Sequence, residues 1–209
     1  MRGLRKSGVI LCSIFCLMLV LVTGCSKIEV PDNLSVPALA VTSKGQVTAW
    51  IVERFDKDYY DLEELRNMVS DEIKQFNEGH RQENGSDAVT VQSLEKTAAG
   101  DEVKLVLNFR DSKAYKDYTG SDLFYGTVAQ AQKAGYDLEQ QLISTKDAST
   151  IDQTDMKELD TKRILIIQEK VTIYGPGRPL YISPGVTVNQ DGSVSVTEET
   201  EDNIYIIMK

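Results

Sequence analysis

The stretch Val186-Thr-Val-Asn-Gln-Asp-Gly-Ser-Val-Ser-Val196 decides the fold. Its valines alternate with polar residues on both sides of Asn189-Gln-Asp-Gly192. That is the pattern of two half-buried strands joined by a tight turn, in which Gly192 takes positive φ. The same reading extends outward. Residues 163–167, 171–174 and 180–182 upstream, and 204–208 downstream, are short apolar runs separated by Gly, Pro and polar residues. The C-terminal third therefore reads as strands. Further upstream, 46–55 places Val47, Ala49, Ile51 and Phe55 on one face and Trp50 and Val52 on the other, a further strand. Asp61-Leu-Glu-Glu64 has capping-box spacing. Leu65, Met68, Val69, Ile73 and Phe76 follow at helical intervals, and Gly79 offers a stop. Residues 88–94 and 103–109 form two strands joined across Ala98-Ala-Gly-Asp101. Residues 127–134 read as a short helix ending at Gly135, the rest of 123–142 has no clear period, and 144–160 is a polar surface loop. Strand, helix, hairpin, short helix and then many strands is the order of an α+β fold. It has a mainly antiparallel sheet, one long amphipathic helix and a strand-rich C-terminal third.

Composition bounds the function. The 209 residues are 41% hydrophobic and 26% charged, enough apolar content for one packed domain and too much for a disordered chain. The net charge of −9 argues against a nucleic-acid partner, because phosphate contact needs clustered Lys and Arg.

The first residues carry an address. Arg2, Arg5 and Lys6 precede an uncharged apolar run over 9–22, the length of a secretory signal's core and short for a membrane span of about 20 residues. The run ends in Val22-Thr23-Gly24-Cys25, which resembles the lipobox of bacterial lipoproteins. The resemblance implies cleavage between Gly24 and Cys25 and lipidation of the Cys25 thiol. A short tether and a small acidic domain without further cysteine are similar to uncharacterised lipoproteins of Gram-positive Clostridia. The expected localisation is the extracytoplasmic face of the cell membrane, through a lipid anchor. Two or more acyl chains, as the pattern implies, hold stably where one does not.

Cleavage would leave 20 basic residues against 32 acidic, a net charge of −12. Cys12 and Cys16 leave with the signal, so no disulfide is available to the domain. Pro31 and Pro37 interrupt a stretch whose apolar residues keep no period, so 25–42 reads as the lipidated cysteine and a tether, and 43–209 as one domain.

Motifs for chemistry are nearly absent. His80 is the one histidine, placed past the expected helix end with no thiol beside it, and zinc rarely accepts carboxylates alone. No Gly-x-Ser-x-Gly elbow, dinucleotide fingerprint or phosphate loop occurs. Ser93-Leu-Glu-Lys96 matches Ser-x-x-Lys by spacing, but on a strand end where that motif opens a helix. Residues 187–198 partly match a calcium loop, with Asn189, Asp191, Gly192, Ser195 and Glu198 at ligand or turn positions. Thr187 occupies the first ligand position and the flanks alternate as strands, so the hairpin reading is preferred. Asp56, Asp58 and Asp61 precede the helix, where its dipole favours carboxylates without a metal, and 198–202 forms an acidic loop. No catalytic, metal or cofactor-binding residue is assigned, and no cofactor is expected. Tyr115, Tyr118, Phe124 and Tyr125 are the candidate binding surface, since amphipathic rings can seat a sugar or a protein. The expected function is a non-catalytic module that binds an envelope protein or glycan. The alternative is a small hydrolase using a carboxylate pair, which a deep pocket with two carboxyls of raised pKa would favour.

Overall fold

A computed structural model describes residues 30–31, 34–83, 85–139, 141–151, 153–196 and 203–209. The signal sequence, Gly24, Cys25 and the acidic loop 198–202 lie outside the described residues. The chain forms an α+β fold, mainly sheet.

One sheet has seven strands: β1 (Ala38–Val41), β2 (Val47–Arg54), β3 (Val89–Lys96), β4 (Glu102–Phe109), β8 (Thr172–Tyr174), β10 (Val186–Val188) and β11 (Val194–Val196). Their order is β10-β11-β8-β1-β2-β4-β3, antiparallel except where β1 runs parallel to β8. The second sheet is antiparallel throughout. It contains β5 (Leu123–Thr127), β6 (Ile143–Ser144), β7 (Arg163–Ile167), β9 (Pro179–Ile182) and β12 (Ile204–Met208) in the order β5-β7-β12-β9-β6.

The two sheets share one core. Leu39, Val41, Val47, Leu107 and Ile173 from the first belong to the same buried cluster as Leu165, Ile167, Ile204 and Ile206 from the second. Helix α1 (Leu62–His80) adds Val69 and Ile73 to that cluster and packs against β3. Its first turn is closed by Asp61, whose carboxylate accepts from the Glu64 N–H at 2.9 Å, as the capping spacing implied. The other face of the second sheet buries Ile164, Ile166, Tyr205 and Ile207 against Val128, Ala131, Leu142 and Met156. Burial on both faces explains why β7 and β12 are continuous apolar runs rather than alternating ones.

Three expectations need correction, and one helix is additional. The stretch read as a tether contains β1, whose residues are all buried between β2 and β8. The domain thus begins before Ser43, and Leu34 is already buried. The polar loop 144–160 carries α4 (Gln153–Glu158), whose Met156 anchors it to the second sheet. Helix α2 (Ser112–Thr119), capped by Asp111 and ended by Gly120, was not anticipated. Helix α1 runs through Gly79 to His80, with extended backbone beginning at Arg81. The expected short helix is present as α3 (Val128–Lys133), with a complete capping box between Thr127 and Gln130.

Candidate functional site

Strand β8 ends at Tyr174, and Gly175-Pro-Gly-Arg178 carries the chain from the first sheet to β9 in the second. This loop is pressed onto the C-terminal strand. A Cβ on Gly175 would fall 2.5 Å from Met208 Sδ, and one on Gly177 2.9 Å from the Lys209 carbonyl oxygen. Glycine is therefore required at 177, where the obstacle is backbone. The Lys209 N–H donates to the Arg178 carbonyl at 3.1 Å, fixing the loop's far end. Thr145, just after β6, donates its hydroxyl to the Pro179 carbonyl at 2.8 Å.

The β10–β11 hairpin forms the facing wall. Its turn closes through the Asn189 N–H to the Ser193 carbonyl at 2.8 Å and the Gly192 N–H to the Asn189 carbonyl at 3.0 Å, with Gly192 at φ +83°. Asp191 Oδ1 accepts from the Ser193 N–H at 2.9 Å and hydroxyl at 2.6 Å. Asn189 Nδ2 donates to the hydroxyls of Ser193 and Ser195, each at 2.9 Å. Between the walls lies an open cleft of about 870 Å³, with Val186, Val188 and Ile182 as apolar lining.

The charges in this cleft are unequal in their commitments. The Ser193 hydroxyl and N–H hold the Asp191 carboxyl below the usual carboxylate range. Burial, reinforced by the Asp191 charge, pushes the Tyr174 phenol up. Arg178 is exposed and makes no ion pair among the described residues, so its guanidinium is the uncommitted charge.

No protein-family model matches the chain, and no curated protein or solved structure matches it significantly.

The four rings proposed as a binding surface do not form one. Tyr115 is 2% exposed within the shared core, and its hydroxyl donates to the half-buried Glu169 at 2.6 Å. Tyr118 packs edge-on to Phe76, and burial together with a hydrogen bond to Glu72 pushes its phenol up to about 12. Phe124 and Tyr125 are adjacent on β5 and point to opposite faces, one beside Tyr136 and the other beneath the Arg163 guanidinium. The exposed aromatic pair lies elsewhere. Tyr60 stacks on Phe55 at 5.0 Å and Tyr59 meets Tyr60 edge-on at 4.9 Å, leaving Tyr59 76% exposed. The signal was two neighbouring tyrosines in a charged loop between a strand and a capped helix, where no apolar period could bury them.

The remaining candidates are accounted for locally. His80 stacks on Phe76 at 3.9 Å and donates Nδ1–H to the Phe76 carbonyl, finishing the helix end. Asp56 lies within ion-pair distance of Arg54 and Lys57, while Asp61 caps α1, so these carboxylates do not converge. Lys116 and the Tyr136 hydroxyl both bond Asp122. Burial alone would raise that carboxyl, but the two donors outweigh it and hold it below the ordinary range. Among the described residues, no three His, Cys, Asp or Glu side chains group as a metal site. Glu198 of the calcium-loop match lies outside the described residues.

Proposed function

We propose that the protein is a lipid-anchored module on the extracytoplasmic face of the membrane that binds an envelope component in the cleft between the 175–178 loop and the β10–β11 hairpin. The lipobox Val22-Thr23-Gly24-Cys25 supports the anchor. The cleft's charge arrangement carries the binding reading. The one carboxylate among the described residues that line it is kept ionised by Ser193, whereas a general acid needs a carboxyl of raised pKa. What remains available is an uncommitted guanidinium, backbone groups and hydroxyls on a loop of fixed shape, which is recognition chemistry.

Two experiments test this. A Cys25→Ser variant should lose metabolic labelling by a fatty-acid analogue and leave the membrane fraction; retained labelling refutes the anchor. A photoreactive residue placed at the exposed Gln190 should crosslink a discrete envelope component on intact cells, and the same residue at Lys74 on α1 should not. Equal capture from both positions refutes the cleft as the binding site.

A further inference from the structure

The two edges of the seven-stranded sheet are treated differently. At the β3 edge, the outward-facing backbone groups of Val89 are already paired. The Val89 N–H donates to Asn77 Oδ1 at 3.0 Å, and Asn77 Nδ2 donates to the Val89 carbonyl at 2.8 Å, so one buried amide imitates a neighbouring strand. Arg66 Nη2 donates to the Leu94 carbonyl at 2.7 Å, and the pairing register shifts between Val91 and Ser93. A helix amide, a bulge and a cation close that edge against another chain.

At the β10 edge nothing comparable is present among the described residues. The turn bond between Asn189 and Ser193, with antiparallel alternation, makes Thr187 and Ser195 the next bonded pair. The N–H and C=O groups of Val186 and Val188 therefore point away from β11. Val188 is 36% exposed, and this short edge lines the cleft opposite Arg178.

We infer that the cleft takes an extended polypeptide segment that adds as a further strand to β10, with a carboxylate of that segment seated on the Arg178 guanidinium. This rests on reading the cleft as a binding site. Main-chain bonds to Val186 and Val188 supply affinity without regard to sequence, while alternate side chains of the added strand face the cleft's apolar lining. The carboxylate follows from charge: Arg178 is the one cation among the described residues lining the cleft, and the Asp191 carboxylate in the same lining is already held by Ser193. The shortness of β10 guards against pairing in the absence of that extra contact.

The test uses a short synthetic peptide of alternating valine and threonine ending in a free aspartate, and a copy with N-methylated amides. The first should bind the protein and slow hydrogen exchange at the Val186 and Val188 amides by about tenfold or more. The N-methylated copy should not. Val188→Pro deletes one outward donor and leaves the Thr187–Ser195 pair intact, so it should abolish the protection of the remaining Val186 amide. Arg178→Ala, which touches no hairpin bond, should weaken binding about tenfold, the worth of one charge-assisted contact. Peptide bound with no change at Val186 and Val188, or bound equally by Arg178→Ala, overturns the inference. So does concentration-dependent pairing of two copies through β10 that excludes the peptide. If the peptide fails while glycan fragments shift cleft resonances, strand addition is refuted and the binding-module reading survives.

Discussion

Asn77 is buried on α1 together with the apolar Val69 and Ile73, and makes three bonds to the start of β3: from the Ala88 and Val89 N–H groups and to the Val89 carbonyl. Replacing it by leucine keeps the branched skeleton, with some added bulk, and leaves two N–H groups and one C=O without partners in a buried place. Asn77→Leu should destabilise the fold by about 2–4 kcal/mol. Urea titration should show a lower midpoint with an unchanged slope, and the opened β3 edge should promote association. A midpoint shift within error would mean that water satisfies these groups. None of this was legible in the sequence. A single Asn late in an amphipathic helix has no spacing signal, because its meaning depends on a strand that begins twelve residues later. The aromatic residues failed for a related reason. Tyr115, Tyr118, Phe124 and Tyr125 are close in sequence, but a helix end and a strand distribute them between two cores. Asp61, whose partner is three residues away, and Gly192, whose turn closes on Asn189, could be placed from sequence alone.

Among the elements, those with a period, a cap or a dense apolar run in their own residues were legible, even where the partner is distant, as for β7 and β12, and those without such a signal were not. The valine alternation at 186–196 gave the hairpin, and the observed pairs Val186↔Val196, Thr187↔Ser195 and Val188↔Val194 are those it implies. Helix α1 announced itself by its cap and period. Strand β1 did not, because its neighbours are distant in sequence on one side and it is buried on both faces, so Ala38-Leu-Ala-Val41 shows no alternation. Helix α2 had its signals, Asp111 before it and Gly120 after it, but too few apolar residues between them to reveal a period. The hairpin also bears on calcium. Asp191 is turned back onto Ser193, and Asn189 spends its amide on Ser193 and Ser195, so side chains that a calcium loop would use as ligands are engaged within the turn. Calcium would have to break these bonds and the Thr187–Ser195 pair before it could be wrapped. Calorimetric titration should therefore detect no site tighter than about millimolar. A micromolar site abolished by Asp191→Ala would show that the segment refolds around the ion.

For the whole molecule, the decisive feature is that β1 is central rather than peripheral. It joins β2 on one side and β8 on the other, so the N-terminal and C-terminal parts of the seven-stranded sheet meet only through four residues. Leu39 and Val41 point into the core shared by both sheets, while Ala38 and Ala40 join Leu34 and Tyr174 on the opposite face. Removing this strand would expose the β2 and β8 ladders and the apolar groups packed on them. No neighbouring strand can replace it, since β2 is already paired with β4, and β8 with β11. A protein beginning at Ser43, the boundary that proline content and weak periodicity suggested, should therefore fail to fold, whereas one beginning at Val30 should unfold in a single cooperative transition. The comparison separates two pictures of the segment before residue 43. A dispensable tether predicts equal melting curves for both chains. A central strand predicts a sigmoidal melt with native near-ultraviolet circular dichroism for the longer chain alone. Adding a synthetic peptide covering 30–42 to the shorter chain gives the stricter test. If β1 supplies what is missing, the peptide should restore the native signal in a saturable manner, and a copy with Leu39 and Val41 replaced by aspartate should not, because burying two unpaired charges between the sheets costs several kcal/mol each.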